Sequence, residues 1–379
     1  MHTGLAPALV SPTVDRSLLL IGSFALLLLG AEVFTNGVEW LGHRLGVSES
    51  ATGSILAAVG TALPETLIPV IAIVQGGADA SHVGVGAILG APFMLATIAM
   101  FLVGASVYYF RNRRTFGDEM HFNEAATRRD LSFFLVGYVI AFAAAFVEQR
   151  LVQYAMAALL VVLYLVYLVR SLQSGELAES EDLEALHLGL IVERLLSRVG
   201  YDPRDHGENP RFLLVALQTL FALAIIISGA HLFVTEVQWL SREVLNVPIA
   251  IVALLIAPLA TELPEKFNSV LWISRDKDTL ALGNITGAMA FQGTLPVTLG
   301  IVFTDWDLSL AWGTTGFLNA FSVILAVIAG TVLYLRARSA HDDPMNPKPF
   351  LIGGLFYAAF IVVLVYFVVV LGVTASGGH

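Results

Sequence analysis

Residues 61–65 read Thr61-Ala62-Leu63-Pro64-Glu65, and residues 261–265 read Thr261-Glu262-Leu263-Pro264-Glu265. Both stretches lie inside long apolar runs, and their surroundings agree as well. Ala31, Phe34, Val38, Trp40 and Leu41 match Ala230, Phe233, Val237, Trp239 and Leu240, while Gly86 and Gly90 match Gly283 and Gly287. Agreement sustained over that distance marks an internal repeat.

Working outward, a bilayer-spanning helix needs about 20 mostly apolar residues. Ten runs qualify, at about 17–41, 51–74, 83–110, 131–147, 152–172, 212–240, 247–273, 280–303, 312–335 and 350–372. Strands are a poor alternative, because the runs are too long and lack period-two alternation. Of 379 residues, 57% are hydrophobic and 13% charged, about half the charged share of a soluble domain. The net charge of −10 and the confinement of basic residues to loop clusters argue against nucleic acid as a partner. With no cysteine, disulfides and thiolate metal sites are excluded. The first apolar stretch runs on into polar helix without a small-residue cleavage site, so it reads as a retained span.

Charge placement tests the count of ten. With loops assigned to alternating sides, Arg16, Arg150 and Arg242 fall on one side, sixteen basic residues fall on the other, and Lys266 alone lies inside a span. The positive-inside rule then places both termini outside the cytosol. A repeat of five spans is odd, so the second copy enters from the opposite face. The expected fold is an all-α polytopic membrane protein of ten transmembrane helices in two inverted five-helix repeats, with broken helices at the centre. Residues 17–172 form the first repeat, 173–211 a cytosolic linker and 212–372 the second repeat. Leu183, Leu186 and Leu190, spaced among Glu179, Glu181, Asp182 and Glu184, predict a surface-lying amphipathic helix in the linker.

The repeated element carries chemistry. A proline within a helix removes one N–H and displaces the carbonyl four residues back. Pro64 frees the carbonyl of Gly60, and Pro264 that of Ala260. Thr61 and Glu65, four apart, share the face of that opening, as do Thr261 and Glu265. An ionised acid at the centre of a membrane helix costs about 2.5–3.5 kcal/mol even on lenient scales. Two such acids related by the repeat therefore point to a function. Carboxylates, hydroxyls and loosened carbonyls make an all-oxygen set suited to hard cations such as Ca²⁺ or Na⁺. The amide oxygen of Asn284 is a further ligand candidate. Most glycines of 84–92 and 283–289 read as helix-packing positions. Glu32 and His231 are candidates to carry protons if they face the cavity, whereas Glu39, Glu236 and Glu148 read as hydrated groups near span ends.

These motifs resemble the calcium/cation antiporter superfamily, specifically the sodium/calcium exchanger membrane region. That family has a G-T-S-x-P-E and a G-N-x-x-G-S-N element in each inverted half. Here the first elements read Gly60-Thr61-Ala62-Leu63-Pro64-Glu65 and Ala260-Thr261-Glu262-Leu263-Pro264-Glu265. The resemblance covers nearly the whole chain and implies Glu65 and Glu265 as central ligands, with Thr61 and Thr261 beside them. The family's serines are Ala62 and Glu262 here, its closing asparagines are Pro92 and Met289, and the asparagine after the first glycine is Ala87 in one half and Asn284 in the other.

The implied function is secondary active antiport, exchanging Ca²⁺ or another hard cation against Na⁺ or H⁺ by alternating access. The chain reads as a transporter and not an enzyme, with no cofactor beyond the transported cations, and with the lipid bilayer and inorganic cations as partners. A cation channel and a non-transporting sensor or scaffold are the alternatives. Glu262 and Lys266 stand four apart in the favourable Glu-then-Lys order. Two readings stay open for them. Either they pair, with the ammonium replacing a transported ion, or Lys266 snorkels to the interface and Glu262 faces water.

Overall fold

A computed structural model describes residues 12–44, 63–173, 184–198, 210–306, 308–339 and 345–374. Gly60 and Thr61 lie outside the described residues, as does most of the acidic part of the linker. Apart from one isolated bridge between Met120 and Met345, the described residues form helices and their connections. Among the described residues, seven helical stretches are long and apolar enough to cross a membrane, and residues 65–75 and 249–259 form two shorter apolar helices.

The first half comprises α1 (Pro12–Arg44), α2 (Leu63–Gln75), α3 (Ala78–Met94), α4 (Met100–Phe110), α5 (Glu124–Ala144) and α6 (Arg150–Gln173). The linker holds α7 (His187–Arg198). The second half comprises α8 (Phe212–Trp239), α9 (Ile249–Thr261), α10 (Leu263–Ser274), α11 (Asp278–Gln292), α12 (Leu295–Phe303), α13 (Thr315–Ser339) and α14 (Lys348–Val369). A π turn at Leu95–Ala99 joins α3 to α4. It follows Pro92, which lacks the N–H that would close the preceding turn.

The breaks in the second half have a common local cause. α9 stops at Thr261 and α10 restarts after Glu262, with Pro264 in its first turn. α11 ends at Gln292 and α12 restarts after Thr294, with Pro296 in its first turn. A helix start leaves N–H groups unsatisfied, so a proline there loses nothing and favours the restart. The expected single run over 280–303 is therefore two helices divided at Gly293–Thr294.

Packing repeats with the halves exchanged. α2 lies on α3 as α10 lies on α11; α2 meets α12 as α10 meets α4; α6 meets α12 as α14 meets α4. The long helices α1 and α8 run together, and small residues let them approach. A methyl at Gly37 would come within 2.6 Å of the Thr219 hydroxyl, and one at Gly30 within 2.7 Å of Ile226. One apolar core gathers around α1, α2, α8 and α9. The other gathers around α5, α11, α12 and α13. α3 and α9 contribute to both. Gly86 and Gly90 explain how: α9 lies directly on their faces, and a methyl at Gly90 would overlap the Leu254 carbonyl. The matching Gly283 and Gly287 have no such close neighbour among the described residues.

Three sequence expectations are corrected here. α5 begins at Glu124, not near Leu131, because Asn123 caps it: its side-chain oxygen accepts from the Ala126 N–H at 3.0 Å. Asp130, expected in a loop, is consequently buried on that helix. The linker helix begins at His187, so Leu186 does not lie on its surface. Leu186 is fully buried against Trp40 and Val215 instead. Leu183 lies outside the described residues. Glu236, expected to be hydrated, is 2% exposed, with the Arg16 guanidinium 3.9 Å away.

Candidate functional site

The break between α9 and α10 sets the site. Glu262 occupies the break itself, and Glu265 and Lys266 lie in the first turn of α10. Glu65 holds the corresponding place in the first turn of α2. All four are buried: Glu65 is 6% exposed, Glu262 0%, Glu265 8% and Lys266 4%. Their polar atoms are largely unsatisfied. Among the described residues, both carboxylate oxygens of Glu65, Oε2 of Glu262, Oε2 of Glu265 and Nζ of Lys266 have no hydrogen-bond partner. Buried polar atoms are almost always paired, so several unpaired ones around the two helix starts mark a functional site.

Around these groups the geometry is specific. Gln292, the last residue of α11, donates from Nε2 to Oε1 of Glu262 at 2.6 Å. Its own Oε1 is buried without a partner among the described residues. The Asn284 amide nitrogen donates to the Glu265 carbonyl at 3.2 Å and to Ser269 Oγ at 3.3 Å, and Ser269 donates to the Ala281 carbonyl. Asn284 thereby fixes α10 against α11. The Thr261 hydroxyl donates to the Ala257 carbonyl at 3.1 Å within its own helix, which leaves its lone pairs to accept. Ala260 sits in the final turn of α9.

Electrostatically the charges form one system. Lys266 acts on Glu262, Glu265 and Glu65, and Glu65 feels both other acids. They are not gathered into a tight cage. Among the described residues, no three acidic or histidine side chains come close enough together to hold a metal ion by themselves. The snorkelling arrangement of Lys266, with Glu262 facing water, does not occur, since both are buried.

The other polar candidates are elsewhere. Glu32 and His231 are exposed, and His231 Nδ1 lies 2.8 Å from the Gln75 amide. Asn36 binds the linker: its amide donates to the Glu184 carbonyl at 3.3 Å, and its oxygen accepts from the His187 N–H at 3.2 Å. Trp40 donates to the Glu184 carbonyl at 2.9 Å, and Gln218 accepts from the Leu188 N–H at 2.7 Å. Gln292 and Ser269 were not singled out from sequence. A lone amide or hydroxyl in an apolar run carries no periodic signal, although the position of Gln292 just before a glycine and a Leu-Pro restart was a visible one.

A pair of related helical halves, packed reciprocally around buried and unpaired charges, defines a membrane protein of the transporter class. The family model described as sodium/calcium exchanger protein matches the chain twice, at residues 17–173 and 214–370, and the chain belongs to this family. Solved structures share the fold. A crystal structure of the H+/Ca2+ exchanger CAX is 17% identical with a TM-score of 0.60, over 94% of this chain and 89% of that one. The structure of native YfkE is 11% identical with a TM-score of 0.59, over 94% and 92%. The sodium-calcium exchanger NCX_Mj, soaked with Na+ and Sr2+, is 17% identical with a TM-score of 0.54, over 92% and 98%. Comparison with curated protein sequences gives no match.

Proposed function

We propose that the chain is a secondary active antiporter that exchanges Ca²⁺, or another hard divalent cation, against Na⁺ or H⁺ by alternating access. The observation that carries this reading is the pair Glu65 and Glu265. They are related by the repeat, each lies in the first turn of a helix at the junction of the halves, and both are buried with carboxylate oxygens that lack partners among the described residues. Carboxylate oxygens held in that state can ligate a hard cation. Thr61, Thr261, the Gly60 and Ala260 carbonyls, Asn284 Oδ1 and Glu262 supply further oxygens, so a cation would be held by mixed ligands from both halves.

The accompanying topology is ten spans in two inverted repeats, with both termini outside the cytosol. The charge alternation of the loops supports it, and inversion supports rocking of the halves around one central site rather than a permanently open pore. The test is flux in vesicles containing the purified protein, across a panel of divalent cations with opposed Na⁺ or pH gradients. Saturable divalent uptake that depends on the counter-gradient is expected. Single-channel currents, or no flux under any gradient, would overturn the reading.

A further inference from the structure

We infer that Lys266 is a built-in cation of the transport cavity, standing in charge for one monovalent ion, so that the protein moves one fewer positive charge per cycle than its three carboxylates alone would compensate. This rests on the antiporter reading above.

The ammonium is 4% exposed, and its Nζ has no hydrogen-bond partner among the described residues. A structural ion pair would close Lys266 onto Glu262, four residues before it. The intervening turn is intact, with the Lys266 N–H donating to the Glu262 carbonyl at 3.1 Å. Instead Gln292 holds one oxygen of Glu262, and the other oxygen is left open. A buried charge without a direct partner is strongly unfavourable unless other charges offset it. Glu262, Glu265 and Glu65 all act on Lys266 in the direction that offsets this, although burial is the larger influence.

The repeat isolates the change. At the matching positions the first half has Ala62 and Thr66, so Glu262 and Lys266 are an addition to the second half alone. Counted as formal charges, one added acid and one added base leave the total unaltered: three carboxylates less one ammonium give two negative charges. That total matches one divalent cation in one direction and two monovalent cations in the other. Without the lysine the cavity carries three negative charges and accommodates one more positive charge.

The test uses the full chain, with Ca²⁺ and Na⁺ as probes. Lys266→Gln should raise Ca²⁺ affinity in detergent by about tenfold or more, and in voltage-clamped vesicles it should shift the charge moved per Ca²⁺ by one elementary charge. The double variant Glu262→Gln/Lys266→Gln should return the charge moved to the wild-type value. Should Lys266→Gln fail to fold, Glu262→Gln provides the opposite arm: lower Ca²⁺ affinity and a shift of one charge in the other direction. Wild-type affinity and wild-type charge movement in either folded single variant would overturn the inference and leave the antiporter reading standing. A wild-type protein that neither binds nor moves any cation would overturn both.

Discussion

Gln292 Nε2 donates to Glu262 Oε1 at 2.6 Å, joining the end of one broken helix to the gap in another across 30 residues of chain. Among the described residues it is the one hydrogen bond given to a carboxylate whose other oxygen is buried without a partner. Gln292→Leu should therefore leave an unsatisfied buried acid and cost about 1–3 kcal/mol of stability. Thermal unfolding in detergent measures it. A wild-type midpoint would show that the bond does not support the break.

Glu65→Gln and Glu265→Gln should each remove most divalent flux while leaving the protein folded. The amide keeps the size of the side chain and loses the charge that offsets the cation. Vesicle flux, alongside size-exclusion profiles in detergent, decides this; flux near wild type in either variant removes that residue from the site.

Arg114 lies in the connection after α4 and is fully buried against Asp278 at the start of α11, with bonds of 2.7 and 2.8 Å. It also donates to the carbonyls of Gly117 and Glu119. Removing one member of a buried pair costs about 3–5 kcal/mol, so Arg114→Ala should lower the unfolding midpoint sharply. Arg114→Lys should recover little, because an ammonium cannot replace the two-pronged contact. A midpoint unaffected by Arg114→Ala would show that the two halves do not depend on this clasp.

Asp276, in the connection between α10 and α11, offers a pH test. Partial burial opposes its ionisation, but the Thr115 backbone N–H at 2.9 Å, the Thr115 hydroxyl and the nearby Arg114 outweigh it and hold the carboxyl below its usual range. A lowered folded-state pKa gives stability that is present above the unfolded value, about 3.9, and lost as pH falls through the folded one. Asp276→Asn should thus be destabilising at neutral pH, and its deficit should vanish in acid below that value. A deficit constant with pH would assign the effect to something other than charge.

Much of the architecture could be read before any coordinates. The duplicated Thr-x-Leu-Pro-Glu, with its flanks, announced two related halves, and the cost of an intramembrane acid singled out Glu65 and Glu265. What escaped depended on contacts far apart in sequence. The charged opening of α5 masks a helix whose Asp130 is buried because Thr286 donates to it at 2.8 Å. Leu186 looked like one face of an amphipathic helix, yet it is an anchor. Asn36, a polar residue inside the first apolar run, holds the linker. In each case the local pattern was right about polarity and silent about the partner.

The native absence of cysteine makes the orientation directly measurable. Glu119→Cys, in the exposed connection between α4 and α5, should react with membrane-impermeant maleimide only after the bilayer is permeabilised. Labelling of intact cells from outside would reverse the assignment of sides.

The stitching of residues 184–188 onto Asn36, Trp40 and Gln218 bears on how the polypeptide comes together. Because Leu186 and its backbone neighbours dock on α1 as well as α8, a fragment starting just before Glu184 carries at its leading edge the surface that recognises the other fragment. Two separately expressed pieces, divided ahead of Glu184, thus retain an address for each other. During synthesis the same contact offers α8 a fixed landing place beside α1 as soon as it leaves the translocation machinery.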